Sequence, residues 1–319
     1  MLKLRLSIIG TLAAIIAVST LAFAIIMSLI GTLNIVTLAF VVIAFNILQW
    51  LIAPYLIDAI YNVREISRSE NPRLYGIVER LSIKAGLKMP RLMLANLPIP
   101  NAFAYGSPIS GNRVAVTKGL LKELEEEEVE AVIGHELGHL KHRDVQIMMF
   151  ASVLPAIFYY IGYSMIMSSW FRTNRKEDRG VDISALIGLV SMVIYWILTL
   201  FVLGLSRLRE YYADRFSVSI VEDGSRKLSE ALAKIVSSNV KLKQYYKVSG
   251  VSSFKTLFIE DPDRAEDNIV KIAQVRIFKT DQELVREVLS RKVTIFDRIL
   301  ELLSTHPNIV KRLRALQKI

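Results

Sequence analysis

His135-Glu136-Leu137-Gly138-His139-Leu140-Lys141-His142-Arg143-Asp144 runs directly into 27 residues, 145–171, that carry no charge. The two halves of this stretch demand different solvents. The first is dense in ionisable groups that need water or a partner. The second is long enough to cross a bilayer, which takes roughly 20 mostly apolar residues. In the first half, His135 and His139 stand at i and i+4, one turn apart on a single helix face. Two imidazoles so placed can both reach one tetrahedral Zn²⁺, and the intervening Glu136 can touch a water held on it. Zinc brings the pKa of such a water towards neutrality, and a carboxylate can take its proton during attack on a carbonyl.

Moving outward, the charge pattern repeats. Nothing charged lies between Arg5 and Asp58 or between Asp182 and Arg207, gaps of 52 and 24 residues. The first gap fits two crossings and each of the others fits one, so four transmembrane helices are expected. A one-piece soluble globule is excluded. The apolar run after Met1-Leu2-Lys3-Leu4-Arg5 exceeds the roughly 7–15 residues of a signal-peptide core and reads as a signal anchor. Gly31-Thr32-Leu33-Asn34 supplies the turn of a first hairpin. Lys3 and Arg5 hold the N-terminus inside, because basic residues beside spans stay in the cytoplasm. Two crossings return the chain to that side at Asp58, and spans at about 146–169 and 184–206 return it again beside Arg207 and Arg209. The expected organisation is a transmembrane hairpin at 1–57, the first part of a cytoplasmic domain at 58–144, a second transmembrane hairpin at 145–206, and the second part of the domain at 207–319. The expected location is the cell membrane, multi-pass, with the site on the cytoplasmic side.

Composition narrows the chemistry. The 319 residues include no cysteine, so disulfide scaffolds and thiolate metal sites are excluded. Any metal must be held by His, Asp or Glu, and the chain has only four histidines. The formal charge of +10 is spread without a compact basic tract, so no nucleic-acid partner is expected. Retention of loops and contact with anionic lipid explain the excess better.

Between the hairpins, Leu74, Ile77, Val78 and Leu81 recur at helical spacing and the pattern stops at Gly86. Short strands are expected at 91–95, 102–105 and 113–117, separated by Gly, Pro and Asn. A helix follows from about Glu126 to His142, with Val129, Ile133, Leu137 and Leu140 as its apolar stripe. The glutamates at 125–128 and 130 suit a helix N-terminus and read as a solvated start. After the fourth span the chain reads as helical, with breaks at 223–224 and around 249–250. Residues 262–300 are charged and amphipathic and suggest no chemistry of their own. The expected fold class is therefore mainly α with a small β-sheet: four transmembrane helices plus a cytoplasmic domain that carries the His135–His139 helix.

The histidine pair needs a third ligand. One known continuation puts a histidine six residues after the second, but that position is Val145, at the mouth of a span. His142, three residues past His139, reads as a helix-end contact. A carboxylate from a second helix is available in Arg207-Leu208-Arg209-Glu210-Tyr211-Tyr212-Ala213-Asp214. Glu210 and Asp214 are again i and i+4. Two crossings separate His139 from Glu210, an even number, so both segments emerge on the same side and a hairpin can bring them together. Tyr211 and Tyr212 fit membrane-interface anchoring better than catalysis.

These stretches, with Asn101-Ala102-Phe103-Ala104 and Ser304-Thr305-His306-Pro307 followed by Arg312, resemble the HtpX-type membrane zinc metalloproteases, relatives of the CAAX prenyl proteases. The resemblance implies one zinc per chain, bound by His135, His139 and Glu210, with Glu136 as the general base. It implies that Asp214 orients a ligand histidine or pairs with Arg312, and it leaves His306 as a cap or a residue near the site. Asn101, Ala102 and Phe103 resemble an edge strand on which a substrate chain can add by backbone hydrogen bonds. The activity implied is hydrolysis of damaged or misfolded membrane proteins, or other unfolded polypeptides, at the cytoplasmic face.

Three rival readings are weaker. An intramembrane protease would bury the metal helix in lipid, yet here it is bracketed by glutamates and by Lys141 to Asp144, costly in a bilayer centre. A CAAX-type prenyl protease builds a chamber from more than four spans. A non-catalytic zinc-binding membrane protein would have no use for Glu136, and a transporter would carry ionisable groups within its spans.

Overall fold

Asn71-Pro72 starts the helix that follows for local reasons. The Asn71 side chain accepts the Leu74 N–H at 3.1 Å, and Pro72 stands in the first turn, where its missing N–H costs nothing. The helix ends at Gly86, whose φ of 61° is left-handed and lets its N–H reach the Ile83 and Ser82 carbonyls. The computed structural model describes residues 47–48, 51–172, 183–246 and 280–319. The expected turn at 31–34, the break at 249–250 and the stretch 262–279 lie outside the described residues. We number the described helices α1 (Leu51–Ile60), α2 (Pro72–Ala85), α3 (Lys118–Glu123), α4 (Glu126–His142), α5 (Asp144–Arg172), α6 (Ile183–Ile220), α7 (Gly224–Tyr246), α8 (Asp281–Ser290), α9 (Ile295–Leu302) and α10 (Ile309–Leu316).

Among the described residues four strands form one mixed sheet. They are β1 (Val63–Glu65), β2 (Arg91–Ala95), β3 (Ala102–Ser107) and β4 (Gly111–Thr117), in the order β1-β2-β4-β3. The pair β2–β4 is parallel and the other two are antiparallel. Three of the strands were expected. At three residues β1 is too short to show an alternating pattern, and it was missed.

The position of β3 matters most, because among the described residues it lies at an edge with β4 as its one neighbour. The Thr117 N–H donates to the Asn101 carbonyl at 3.0 Å, which fixes the parity of the ladder. Odd residues of β3 therefore bond to β4, while Ala102 and Ala104 turn their backbone groups to the free edge.

The described residues fall into two compact units, one containing Gln146–Leu205 and the other Leu51–Val145 and Ser206–Ile319. In the first, α5 and α6 pack through Ile157, Phe158 and Ile161 with Ile187 and Leu198. Gly162 and Gly188 permit that approach: a Cβ on Gly188 would lie 2.7 Å from Ile166. In the second, α2, α4, α7, α8, α10 and the sheet share a core that includes Val78, Leu92, Val114, Leu137, Leu232 and Leu313.

The expected fourth span and the ligand segment after it lie on one helix, α6, of 38 residues and about 57 Å. Among the described residues α6 is the one helix long and apolar enough to cross a membrane; the apolar stretch 154–167 within α5 and helix α1 are shorter. The glutamate run is less uniform than expected. Glu125 and Glu128 form a capping box, and Glu128 is buried against Lys234 at 2.9 Å instead of being solvated.

Candidate metal centre

Two glycines bring α4 and α6 together. A Cβ on Gly138 would lie 3.0 Å from the Ala213 Cα, and one on Gly134 would lie 2.9 Å from the Ser217 Oγ. The helices thus touch almost backbone to backbone, and the Ser217 hydroxyl donates to the Ala131 carbonyl at 2.6 Å. Gly134-x-x-x-Gly138 on one helix faces Ala213-x-x-x-Ser217 on the other. His135 and His139 are therefore set beside Glu210 and Asp214.

The donor atoms converge. His135 Nε2 and His139 Nε2 are 3.1 Å apart. Glu210 brings Oε2 to 3.6 Å from the first and Oε1 to 3.5 Å from the second. Metal bonds of about 2.0–2.1 Å at tetrahedral angles put ligand atoms about 3.3 Å apart, so this triangle has the right size for zinc.

The surroundings fix which ring nitrogens face the centre. His135 Nδ1 lies 2.9 Å from Asp214 Oδ1, and His139 Nδ1 lies 2.7 Å from Asp144 Oδ2. With both Nδ1 atoms turned to carboxylates, both Nε2 lone pairs point at one spot, which needs a cation or a shared proton. Without a metal, burial works against a charged His139. Asp144, Glu210 and Glu136 outweigh that and raise its pKa to about 9. The site is built to hold positive charge.

Glu210 and Asp214 stay ionised although both are buried. Burial alone would raise the Glu210 pKa, but His306, Arg312 and His139 hold it well below the usual carboxylate range. For Asp214 the same opposition is won by Arg312 and His135. Arg312, fully buried, donates to Asp214 through Nε at 3.0 Å and Nη2 at 2.6 Å, and its Nη1 lies 3.3 Å from Glu210 Oε2. His306 Nδ1 also lies 3.3 Å from Glu210 Oε2.

Glu136 differs from these carboxylates. Burial dominates and pushes its pKa up, with only partial relief from His139 and His135. It accepts the Ala104 N–H, one of the groups that β3 turns to its free edge. The acidic group and the unpaired strand edge therefore meet.

The other sequence candidates divide. Ala102 packs in the main core, while Phe103 turns to the opposite side of the sheet with Tyr61 and Tyr105. Asn101 is buried and donates its N–H to the Thr117 hydroxyl at 2.9 Å. His142 stacks edge-on against Phe216, away from the ligand triangle, and Tyr211 and Tyr212 are partly buried. Sequence reading quoted Asp144 as the end of the motif and the border of a span but missed its contact with His139, and it missed Arg209, which donates to the Asp144 carbonyl at 2.7 Å. It also missed the paired small residues that let α4 and α6 touch.

The model for "Peptidase family M48" matches residues 68–319. The chain belongs to peptidase family M48. Among its relatives, the chain is 33% identical to a protease HtpX homolog of Thermoplasma acidophilum, over 86% of this chain and 82% of that one. It is 35% identical to protease HtpX homolog 2 of Sulfurisphaera tokodaii, over 99% of this chain and 97% of that one. The crystal structure of S. mikatae Ste24p shares the fold, with a TM-score of 0.56 at 15% identity, covering 99% of this chain and 67% of that chain. This M48 protein is a metalloprotease of the HtpX type, so the non-catalytic reading is set aside.

Proposed function

We propose that this M48 enzyme is a zinc-dependent endopeptidase with one zinc per chain, held by His135, His139 and Glu210, and with Glu136 as general base. The observation that carries the reading is the triangle of His135 Nε2, His139 Nε2 and the Glu210 carboxylate beside a buried, proton-hungry Glu136. When bound, zinc supplies a Lewis acid that acidifies water and polarises a carbonyl. The chain's own residues do the rest. Glu136 takes the proton of the attacking water at its carboxylate and can return it to the leaving amine, a pair of roles that its place beside the ligand triangle allows. Asp214 and Asp144 hold the two imidazoles in the ligating tautomer. Arg312 keeps Asp214 and Glu210 charged, and His306 orients Glu210.

The free edge of β3 supports the reading of 101–104 as the substrate strand. A polypeptide added there passes beside Glu136 and is held by main-chain bonds, which favours unfolded segments over any one sequence. We further propose four membrane crossings, a cytoplasmic site, and damaged or misfolded membrane proteins as substrates. The charge-free gaps, the basic residues beside them and the apolar α6 support this.

The test is zinc content and proteolysis of an unfolded protein by the purified enzyme, compared with Glu136→Gln. The variant should keep its zinc and lose about 10²–10⁴-fold in cleavage rate. Cleavage at the parental rate would overturn the mechanism.

A further inference from the structure

Helix α9 is built inside out. Thr294 caps it and Asp297 completes a capping box, so its start is well defined. Counting about 100° per residue, Ile295, Phe296, Ile299, Leu302 and Leu303 share an arc of about 120°. All five are apolar and between 53% and 77% exposed. The charge sits on the opposite side. Glu301 is 7% exposed, pairs with Lys311 and accepts the Asn308 N–H at 3.2 Å. A helix docked on a water-soluble domain does the reverse. Single exposed apolar residues are ordinary, but a continuous stripe marks an interaction surface.

The end of α9 carries a second, independent feature. Arg207 Nη1 donates to the carbonyls of Glu301 at 2.8 Å, Leu302 at 3.1 Å and Ser304 at 2.7 Å. The last carbonyls of a helix have no intrahelical partner, so this guanidinium closes the helix. Arg207 is also the first charge after the 24-residue gap that α6 carries. The stripe is therefore tied to the residue at which α6 leaves its apolar run. The exposed charges flanking the stripe, Lys292 and Arg298, are basic. An apolar face with a basic rim at the end of a span fits the boundary between headgroups and acyl chains of an anionic bilayer.

We propose that α9 is a membrane-surface anchor, its stripe seated in lipid beside Arg207, where the apolar run of α6 stops. The inference rests on the reading of α6 as a span. The same segment continues to His306 and Arg312, so the anchor holds one wall of the metal centre at a fixed height over the lipid.

The absence of native cysteine makes site-directed spin labelling direct. The full chain, in nanodiscs of phosphatidylcholine and phosphatidylglycerol, is labelled at Phe296→Cys, Ile299→Cys, Leu200→Cys on α6 and Arg73→Cys in water. Collisions with oxygen, which enters lipid, and with a water-soluble nickel chelate are then read. Labels at 296 and 299 should resemble 200, with nickel access several-fold below that at 73. Nickel access equal to that at 73, with 200 still in lipid, would overturn the anchor and leave the span. A water-exposed label at 200 would remove both. Low access to both relaxants at 296 and 299 would mean that protein covers the stripe, and would overturn the lipid assignment.

Discussion

Asp144 Oδ2 reaches His139 Nδ1 at 2.7 Å across a left-handed turn at Arg143, whose φ is 57°. That turn ends α4 and starts α5, and it swings the carboxylate back under the imidazole five residues earlier. Asp144→Asn keeps the shape and removes the charge. Outer partners of ligand histidines contribute roughly 10–100-fold to metal affinity. Competition with a coloured zinc chelator should therefore show a loss in that range. Unchanged affinity would mean that Asp144 only joins two helices.

Glu210→Ala removes the third donor and leaves Arg312 and His306 facing a vacated carboxylate position. The variant should lose its zinc on dialysis while the parent keeps one per chain. Circular dichroism of both separates metal loss from unfolding. Stoichiometric zinc in a folded Glu210→Ala chain would contradict the assigned ligand set.

The contact between α4 and α6 sets the ligand triangle, so its glycines should be sensitive in a defined order. At Gly138 the obstacle to a methyl group is the Ala213 backbone at 3.0 Å, which cannot move away alone. At Gly134 the nearest atoms belong to side chains, the Ser217 hydroxyl at 2.9 Å and Val221 Cγ2 at 3.0 Å, which can shift at the expense of the Ser217–Ala131 bond. Gly138→Ala should cost about 1–3 kcal/mol, in the range of overpacked cores, and Gly134→Ala less. Thermal unfolding in detergent measures the stability difference. Zinc titration should show Gly138→Ala binding more weakly, because the two helices carry different ligands.

Much of this was legible in the sequence because it depends on local periodicity. His135 and His139 declare themselves by i and i+4 spacing, and Gly86 marks a helix end. Three strands were visible between turn residues. Glu210 was reachable because an even number of charge-free gaps separates it from His139. What stayed hidden depends on contacts between distant segments. Asp144 looked like the border of an apolar run, and nothing local says that a left-handed residue turns it towards His139. The burial of Glu128 depends on Lys234, more than 100 residues away. The edge position of β3 was expected from the family resemblance alone; it follows from the parallel pairing of β2 with β4, which alternation within strands does not specify.

The buried pair Arg312–Asp214 allows stability and metal binding to be separated. Arg312→Met alone leaves Asp214 buried and short of its main counter-charge, and breaking such a pair costs about 3–5 kcal/mol. Replacing both partners, as in Arg312→Met with Asp214→Leu, removes the stranded Asp214 charge while His306 and His139 still face Glu210, and apolar substitution of a buried pair is often neutral or stabilising. The double variant should therefore melt near the parent and well above Arg312→Met. Zinc affinity should not recover with it, because His135 Nδ1 has lost the carboxylate 2.9 Å away that holds its tautomer. If affinity returned together with the melting temperature, Asp214 would serve only the fold, and the orientation of His135 would have to come from elsewhere.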